Sequence, residues 1–131
     1  MRTLACVVVA TGSMMLGART AAPADALVVE MREFAFRPAL LRVQAGRPVT
    51  LRLVNRGQIA HQFETAALQG LALTISDAQL RLEGISFEVL RLQPGASAAV
   101  SFTPPRKGRF PFACTIEGHR EAGMVGVLEA Y

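Results

Sequence analysis

The sequence predicts an all-β protein built as a two-sheet sandwich in one domain. Short segments in which apolar and polar residues alternate are separated by turns rich in Gly, Pro and Asn, which is typical of such folds. Stretches with helical periodicity are almost absent. A length of 131 residues and a hydrophobic content of 51% fit one modest core, so a disordered chain is excluded.

Eight segments have the length and the alternation of strands. Val49, Leu51 and Leu53 alternate with Thr50 and Arg52, so one face of that strand is expected to line the core and the other to meet water. The predicted strands are Val28–Phe36, Leu40–Val43, Val49–Val54, His61–Thr65, Ile85–Leu92, Ala98–Phe102, Phe110–Cys114 and Met124–Ala130. Gly and Pro mark turns at Ala45–Pro48, Gln93–Gly95 and Pro104–Gly108.

One segment departs from the β pattern. Ser76-Asp77-Ala78-Gln79 has the Ser-x-x-Gln form of a capping box and predicts a short helix of about two turns running into Leu80–Glu83. With the apolar residues before it, Leu68–Glu83 forms either a flap beside His61 or a connection that covers one edge of the sandwich.

The first 24 residues have the order of a secretory signal peptide. Arg2 gives a positive start, an apolar stretch follows, and an Ala-rich region then offers small-x-small cleavage sites. We expect cleavage before Asp25, so that residues 1–24 are removed and residues 25–131 form a periplasmic or secreted domain. Cys6 is expected to leave with the signal, because the five residues before it are too few for a lipoprotein leader.

The mature chain is only mildly basic. Removing Arg2 and Arg19 lowers the formal net charge from +4 to +2, with twelve basic residues against ten acidic ones. The basic residues are scattered among apolar neighbours, which favours a solvated sheet face over a nucleic-acid groove. No apolar run approaches the roughly 18 residues of a membrane span, which excludes a channel or transporter. We expect a monomer with no nucleic-acid partner.

Cys114 is the one cysteine of the mature chain, and a lone thiol in an oxidising compartment needs to be bound or capped. It opens the pattern C-x4-H-x4-M, which continues through His119 and Met124. If the strands on either side of this loop are neighbours, the three side chains meet at one end of the sandwich. The strand that begins at His61 can reach the same end, giving two imidazoles, a thiolate and a thioether, the donor set of a blue copper site.

This donor set favours a single copper ion. Thiolate and thioether are soft donors suited to Cu(I), while imidazole accepts both Cu(I) and Cu(II). Zinc would prefer more thiolates or a carboxylate, and the sequence has no C-x2-C pair. A dinuclear thiolate-bridged centre is excluded by the lack of a second cysteine in the loop, and a multicopper oxidase by the lack of His-x-His pairs.

The arrangement resembles the cupredoxins, the small blue copper proteins, from about Val28 to Glu129. The ligand loop is the specific part of the resemblance, and its gaps of four residues are similar to those of rusticyanin-like members. The other segments that resemble the family are Phe34-Ala35-Phe36, Val43–Leu51, Asn55-Arg56-Gly57 and His61-Gln62-Phe63. The resemblance implies a Greek-key β-sandwich, one type 1 copper ion, and one-electron transfer between larger redox proteins in the periplasm or a comparable compartment.

Carried over to this sequence, the family's ligands are His61 and His119 as imidazoles, Cys114 as the equatorial thiolate and Met124 as the long axial thioether. Met31 is the one other thioether of the mature chain, and it lies on the first strand, which we expect to be distant from the site.

Three polar residues are candidates for hydrogen bonds that orient the ligands, namely Asn55, Gln62 and Thr115. Many cupredoxins have an Asn directly after the first histidine, which ties the ligand strand to the residue after the cysteine. Gln62 stands there in this sequence, which leaves the bracing bond open. A carboxylate from Glu117 or Glu121 as the axial donor would be an unusual outcome.

His119 lies between Gly118 and Arg120 and is the natural exit for an electron, because small neighbours would let a partner approach. We expect a redox partner such as a cytochrome or an oxidase. Arg120 and the net charge of +2 favour an acidic docking face on that partner.

The predicted function is therefore that of a one-electron carrier and not of an enzyme. Copper handling or copper tolerance is the alternative, although two Met and two His in the mature chain disfavour storage. Thiol catalysis with Cys114 as nucleophile and a histidine as base is a second alternative. It lacks an evident third orienting group, and an unbound thiolate would oxidise outside the cytoplasm.

Overall fold

The computed structural model describes residues 26–77, 81–85, 87 and 89–131. The predicted signal peptide, residues 1–24 with Cys6, lies outside the described residues. In chain order the strands are β1 Ala26–Arg32, β2 Ala35–Arg37, β3 Leu40–Val43, β4 Val49–Asn55, β5 His61–Thr65, β6 Ala72–Ser76, β7 Arg81–Ile85, β8 Leu90–Leu92, β9 Ser97–Phe102, β10 Gly108–Ala113 and β11 Val125–Ala130. One short 3-10 helix, η1, covers Ala66–Leu68.

These strands form two sheets that pack face to face. The first sheet has the order β2-β1-β4-β9-β6-β7 and the second the order β3-β11-β10-β5-β8. β1 pairs with β4 and β3 with β11 in parallel, and the other pairs are antiparallel. The predicted all-β Greek-key sandwich is confirmed.

Alternating burial along the strands explains why these segments pair. In β4, Val49, Leu51 and Leu53 are buried while Arg52 is exposed, as the sequence predicts. Between the sheets lies a cluster of three buried rings from β2, β5 and β10, with centroids 5.0–5.9 Å apart: Phe36, Phe63 and Phe112. Aromatic contacts of this kind stabilise the packing beyond the burial of apolar surface alone, so the three rings form a rigid layer under the residues that follow at this end of the sandwich.

The exposed faces carry ion pairs both within and between strands. Glu129 on β11 lies 3.4 Å from Arg42 on β3 and 3.9 Å from Arg109 on β10. Glu30 on β1 lies between Arg32 and Arg56, at 3.1 and 3.7 Å. The scattered arginines therefore line solvated sheet faces, as expected. The part of the chain that the structure describes contains no helix that could span a lipid bilayer.

Two predicted strands are each split. Val28–Phe36 is not one strand, because the chain reverses at Glu33 and Phe34 and Arg32 then pairs with Ala35. Phe34 has a φ of 58°, a left-handed conformation that favours glycine, so no residue type announces this turn. Ile85–Leu92 is likewise divided, with β7 ending at Ile85 and β8 beginning at Leu90.

The helix predicted from Ser76 is wrong. Ser76 ends β6 and pairs with Arg81 at the start of β7, so the described parts of this segment are antiparallel strands, while residues 78–80 lie outside the described residues. β6 also pairs with β9 and buries Leu73 and Ile75, and this non-local gain outweighs a local capping signal. The segment extends the first sheet, which supports the sandwich-edge interpretation, and the short helix is η1 instead.

Candidate metal centre

Strand alternation brings His61 and Cys114 to the same layer. His61 opens β5 and shares the inward face with Phe63, two residues later. Cys114 directly follows β10 and is buried like Phe112, two residues earlier. Because β5 and β10 are neighbours in the second sheet, both side chains lie at one end of the sandwich, above the aromatic cluster.

The loop from Cys114 to Met124 folds back on itself through backbone hydrogen bonds. The N–H of Cys114 donates to the carbonyl of Met124 at 3.1 Å, and the N–H of Met124 donates to the carbonyl of His119 at 3.0 Å. Gly118 and Gly123 have φ values of 80° and 106°, which allow the tight turns. The sequence spacing is thereby converted into a fixed relation between the thiol, the second imidazole and Met124.

Three of the four predicted ligands form one cluster. One ligand atom from each of His61, Cys114 and His119 lies within 4.8 Å of the others. The Cys114 sulfur is 3.3 Å from Nδ1 of His119, and the two imidazole centroids are 5.3 Å apart. Met124 is fully buried and adjoins the cluster through its backbone.

His61 is the unusual member of the cluster. It is 0% exposed, and neither ring nitrogen has a hydrogen-bond partner among the described residues. Burial, and next the repulsion from a protonated His119, lower the pKa of His61, while the Glu33 carboxylate acts in the opposite direction. A buried, neutral imidazole with an unpaired nitrogen is suited to metal ligation, because proton and metal compete for the same lone pair.

Hydrogen bonds fix the thiol side of the cluster. The backbone N–H of Gln62 donates to the sulfur of Cys114 at 3.3 Å. The hydroxyl of Thr115 donates to Oε1 of Gln62 at 2.8 Å, so the bracing bond that the sequence left open is present with Gln in place of Asn. Asn55, the third candidate, instead binds the carbonyls of Ile59 and Leu92 and holds the loop that leads to His61.

Sequence reasoning missed the turn between β1 and β2. Oε1 of Glu33 is 3.8 Å from Nε2 of His61. The ring of Phe34 packs edge-on against the imidazole of His119, with the ring centroids 5.1 Å apart. Hydrogen bonds from the backbone, first of all from the N–H of Gln58, hold the pKa of Glu33 below its usual range. The expectation that the first strand is distant from the site is wrong at this end, and no local signal could have revealed it because Phe34 is an unusual turn residue.

His119, the expected exit for an electron, has only a small exposed surface. The side chain is 7% exposed, because Phe34 lies against its ring.

Cys114 is 0% exposed, and a thiol that no substrate can reach is unsuited to nucleophilic catalysis. Glu117 and Glu121 are exposed and lie outside the cluster of ligand atoms.

Two nitrogens and one sulfur in a buried cluster are suited to one copper ion. Thiolate and imidazole are the donors that copper accepts in both oxidation states. Two observations agree with that use: the short contact between Cys114 and His119, and the unpaired nitrogens of His61. Polar atoms that are buried without a partner cost free energy, and a bound metal ion would remove that cost.

Comparisons with known proteins agree with this chemistry. A family model described as a cupredoxin-like domain matches residues 4–127. The copper-resistant cuproprotein CopI of Rubrivivax gelatinosus is 36% identical over 94 residues, which cover 70% of this chain and 56% of that protein. A protein with the same description from Pseudomonas aeruginosa is 49% identical over 37 residues, 28% of this chain and 20% of that one. The chain thus spans about half the length of the first relative and less of the second.

Solved structures show the same fold at low identity. An auracyanin from Roseiflexus castenholzii has a TM-score of 0.58 and 20% identity, over 81% of this chain and 96% of that one. A copper nitrite reductase from Nitrosomonas europaea has a TM-score of 0.67 and 13% identity, over 88% of this chain and 52% of that one. At these identities the structural likeness shows the fold alone.

Proposed function

The chain belongs to the cupredoxin-like domain family, and on that premise we propose that it is a type 1 copper protein that carries single electrons. The observation that most strongly supports this proposal is the buried cluster of His61, Cys114 and His119, whose ligand atoms lie within 4.8 Å of one another. In this proposal both imidazoles and the thiolate would hold the copper, and the thioether of Met124 would be the fourth donor. When bound, copper supplies a centre that alternates between Cu(I) and Cu(II).

The rigidity of the cluster supports electron transfer. Gln62 binds the sulfur of Cys114 through its N–H and the hydroxyl of Thr115 through its side chain, so one residue joins β5 to the ligand loop at two points. The layer of three aromatic rings and the backbone bonds of Met124 restrain the other sides. A ligand frame that cannot follow the geometry preferred by either oxidation state reorganises little when an electron arrives.

A redox protein such as a cytochrome or an oxidase is the proposed partner. His119 is 7% exposed, whereas His61, Cys114 and Met124 are 0% exposed, so an electron would leave through His119. Phe34 is itself 42% exposed, so a partner that docks at this end contacts its ring. Arg120, which follows His119 in the chain, is exposed and favours an acidic docking face.

Copper titration tests the proposal. The purified domain from Asp25, prepared without metal, receives one equivalent of Cu(II), and the visible and EPR spectra are recorded. We expect an intense thiolate-to-copper band with narrow hyperfine splitting, and we expect the Cys114→Ser variant to lose both. A colourless protein, or weak bands with wide splitting, would contradict the proposal.

The role of Met124 as a copper ligand can be tested against a matched control, Met31. Met124 and Met31 are both fully buried, and each is replaced by Leu. We expect Met124→Leu to change the spectrum and the reduction potential, because a thioether donor is lost, and Met31→Leu to leave both unchanged. Equal spectra for the two variants would remove Met124 from the ligand set.

Copper tolerance is a second candidate function, favoured by the 36% identical relative described as a copper-resistant cuproprotein. A carrier keeps its metal through oxidation and reduction, whereas a protein that delivers copper releases it. Reversible voltammetry in the presence of a Cu(I) chelator distinguishes the two. Full retention over repeated cycles supports electron carriage, and loss of copper on reduction supports copper handling.

We also propose that residues 1–24 are a signal peptide that directs the domain to the periplasm or out of the cell. The support is the order of charged, apolar and small residues at the N-terminus. Mass spectrometry of the exported protein is expected to give a chain that begins at Asp25. An uncleaved chain in the cytoplasmic fraction would contradict this proposal.

A further inference from the structure

The turn between β1 and β2 places a carboxylate beside the buried imidazole of His61. Oε1 of Glu33 lies 3.8 Å from Nε2 of His61, about 1 Å more than an N–H···O hydrogen bond. Nε2 is buried and has no hydrogen-bond partner among the described residues. An N–H that is buried without an acceptor costs free energy, and the Glu33 carboxylate would be the acceptor for a proton on Nε2.

Glu33 is held in place from its other side. Its Oε1 accepts hydrogen bonds from the backbone N–H of Gln58 and, at 3.3 Å, from that of Ile59. These donors belong to the loop between β4 and β5, directly ahead of His61. The carboxylate is therefore tied to the segment that sets the position of the histidine, and its position beside Nε2 is not that of a free surface side chain.

Gly57 leaves the space that this contact requires. A Cβ atom at this position would lie 2.8 Å from Nε2 of His61 and would also overlap Oε1 of Glu33. The N–H of Gly57 donates to the side chain of Asn55 at 2.9 Å, which fixes the backbone there. Glu33 and Gly57, which come from two separate segments, thus lie around Nε2 of His61.

We propose that Glu33 is the positioning residue for His61: it accepts the Nε2–H of the imidazole and so leaves Nδ1 free for the copper. This inference rests on the proposed function of the cluster. In a neutral imidazole one nitrogen carries the proton and the other the lone pair, so an acceptor at Nε2 selects the tautomer whose Nδ1 can bind a metal. A carboxylate behind a ligating histidine also raises its basicity and favours Cu(II) over Cu(I).

The tautomer can be measured without metal. Nitrogen-15 NMR of the imidazoles in the copper-free protein is expected to show His61 protonated at Nε2, and the preference is expected to be lost in Glu33→Ala. Protonation at Nδ1 in the wild-type protein would overturn the inference. Because no copper is present, this outcome does not depend on the proposed function.

The copper-loaded protein gives the second readout. Glu33→Gln keeps an oxygen acceptor for Gln58 and Ile59 but removes the charge. Glu30→Gln is the matched control, because it removes a charge three residues earlier, on β1. We expect a higher reduction potential for Glu33→Gln with the thiolate-to-copper band retained, and a potential close to the wild-type value for Glu30→Gln. Equal potentials in the two variants would show that Glu33 only caps the loop and would overturn the inference. A wild-type protein without the band would instead refute the proposed function, with the tautomer result still valid.

Discussion

Replacing Asn55 by Ala tests how the loop ahead of His61 is held. Asn55 is fully buried, and its amide donates to the carbonyls of Ile59 and Leu92 at 2.8 and 2.9 Å. Its oxygen accepts the N–H of Gly57 at 2.9 Å. Alanine removes all three bonds. At about 1 kcal/mol each, the free energy of unfolding falls by about 3 kcal/mol. This corresponds to a fall of about 12 °C in the melting temperature at about 4 °C per kcal/mol.

Urea unfolding followed by far-UV circular dichroism measures this loss, since the chain has no Trp and one Tyr for fluorescence. Thr50→Ala is the matched control, because it removes one partly buried hydrogen bond, the 2.8 Å contact to Ser101. We expect a loss of about 1 kcal/mol for the control. If Asn55→Ala loses no more than Thr50→Ala, the three bonds do not support the loop and the reasoning is refuted.

Three further variants or conditions test the surroundings of the cluster. Phe34→Ala uncovers His119, and loss of an edge-to-face contact worth about 1 kcal/mol is expected to speed copper removal by a chelator roughly fivefold; an unchanged rate would contradict the covering role. Gln62→Ala and Thr115→Ala each break the 2.8 Å brace, so a double-mutant cycle on urea unfolding is expected to give a coupling of about 1 kcal/mol, and additive losses would mean that the bond contributes nothing. Acidification is expected to destabilise the copper-free protein. Burial lowers the pKa of His61 in the folded state, so the unfolded chain binds the proton first and stability falls as the pH drops below about 6.5 toward the lower folded value. Urea midpoints at several pH values, compared with those of His61→Gln, check this, and a parallel pH dependence in the two proteins would exclude His61 as the cause.

The cluster of His61, Cys114 and His119 could be predicted because the mature chain has few histidines and cysteines, and because two of the three residues lie close together in the sequence. Cys114 and His119 belong to one short loop, and strand alternation alone places His61 and Cys114 on inward faces. The sandwich followed from the same alternation, which repeats in β3, β4 and β9. Where a pattern has period two over several residues, side-chain direction is decided by the backbone, and little tertiary information is needed.

The turn over the histidines could not be predicted, because it depends on contacts between distant segments. Glu33 finds its hydrogen-bond donors at Gln58 and Ile59, in a loop that follows another strand. Phe34 takes a left-handed φ that its residue type does not indicate, and it packs on His119, far along the chain. The helix predicted from Ser76 failed for the same reason, since pairing with β9 is invisible to a local capping pattern.

The two histidines consequently differ in their surroundings, although both contribute an imidazole to the set of donors. The carboxylate of Glu33 lies beside His61, which is sealed in the protein, and the ring of Phe34 lies beside His119, which keeps a small exposed edge. In the proposed copper site, the charge beside His61 would act on the relative stability of Cu(I) and Cu(II), whereas the apolar ring against His119 would restrict access to the metal. Because one two-residue turn supplies both, transferring the Cys114–Met124 loop to another sandwich would carry three of the proposed ligands but neither of these controls.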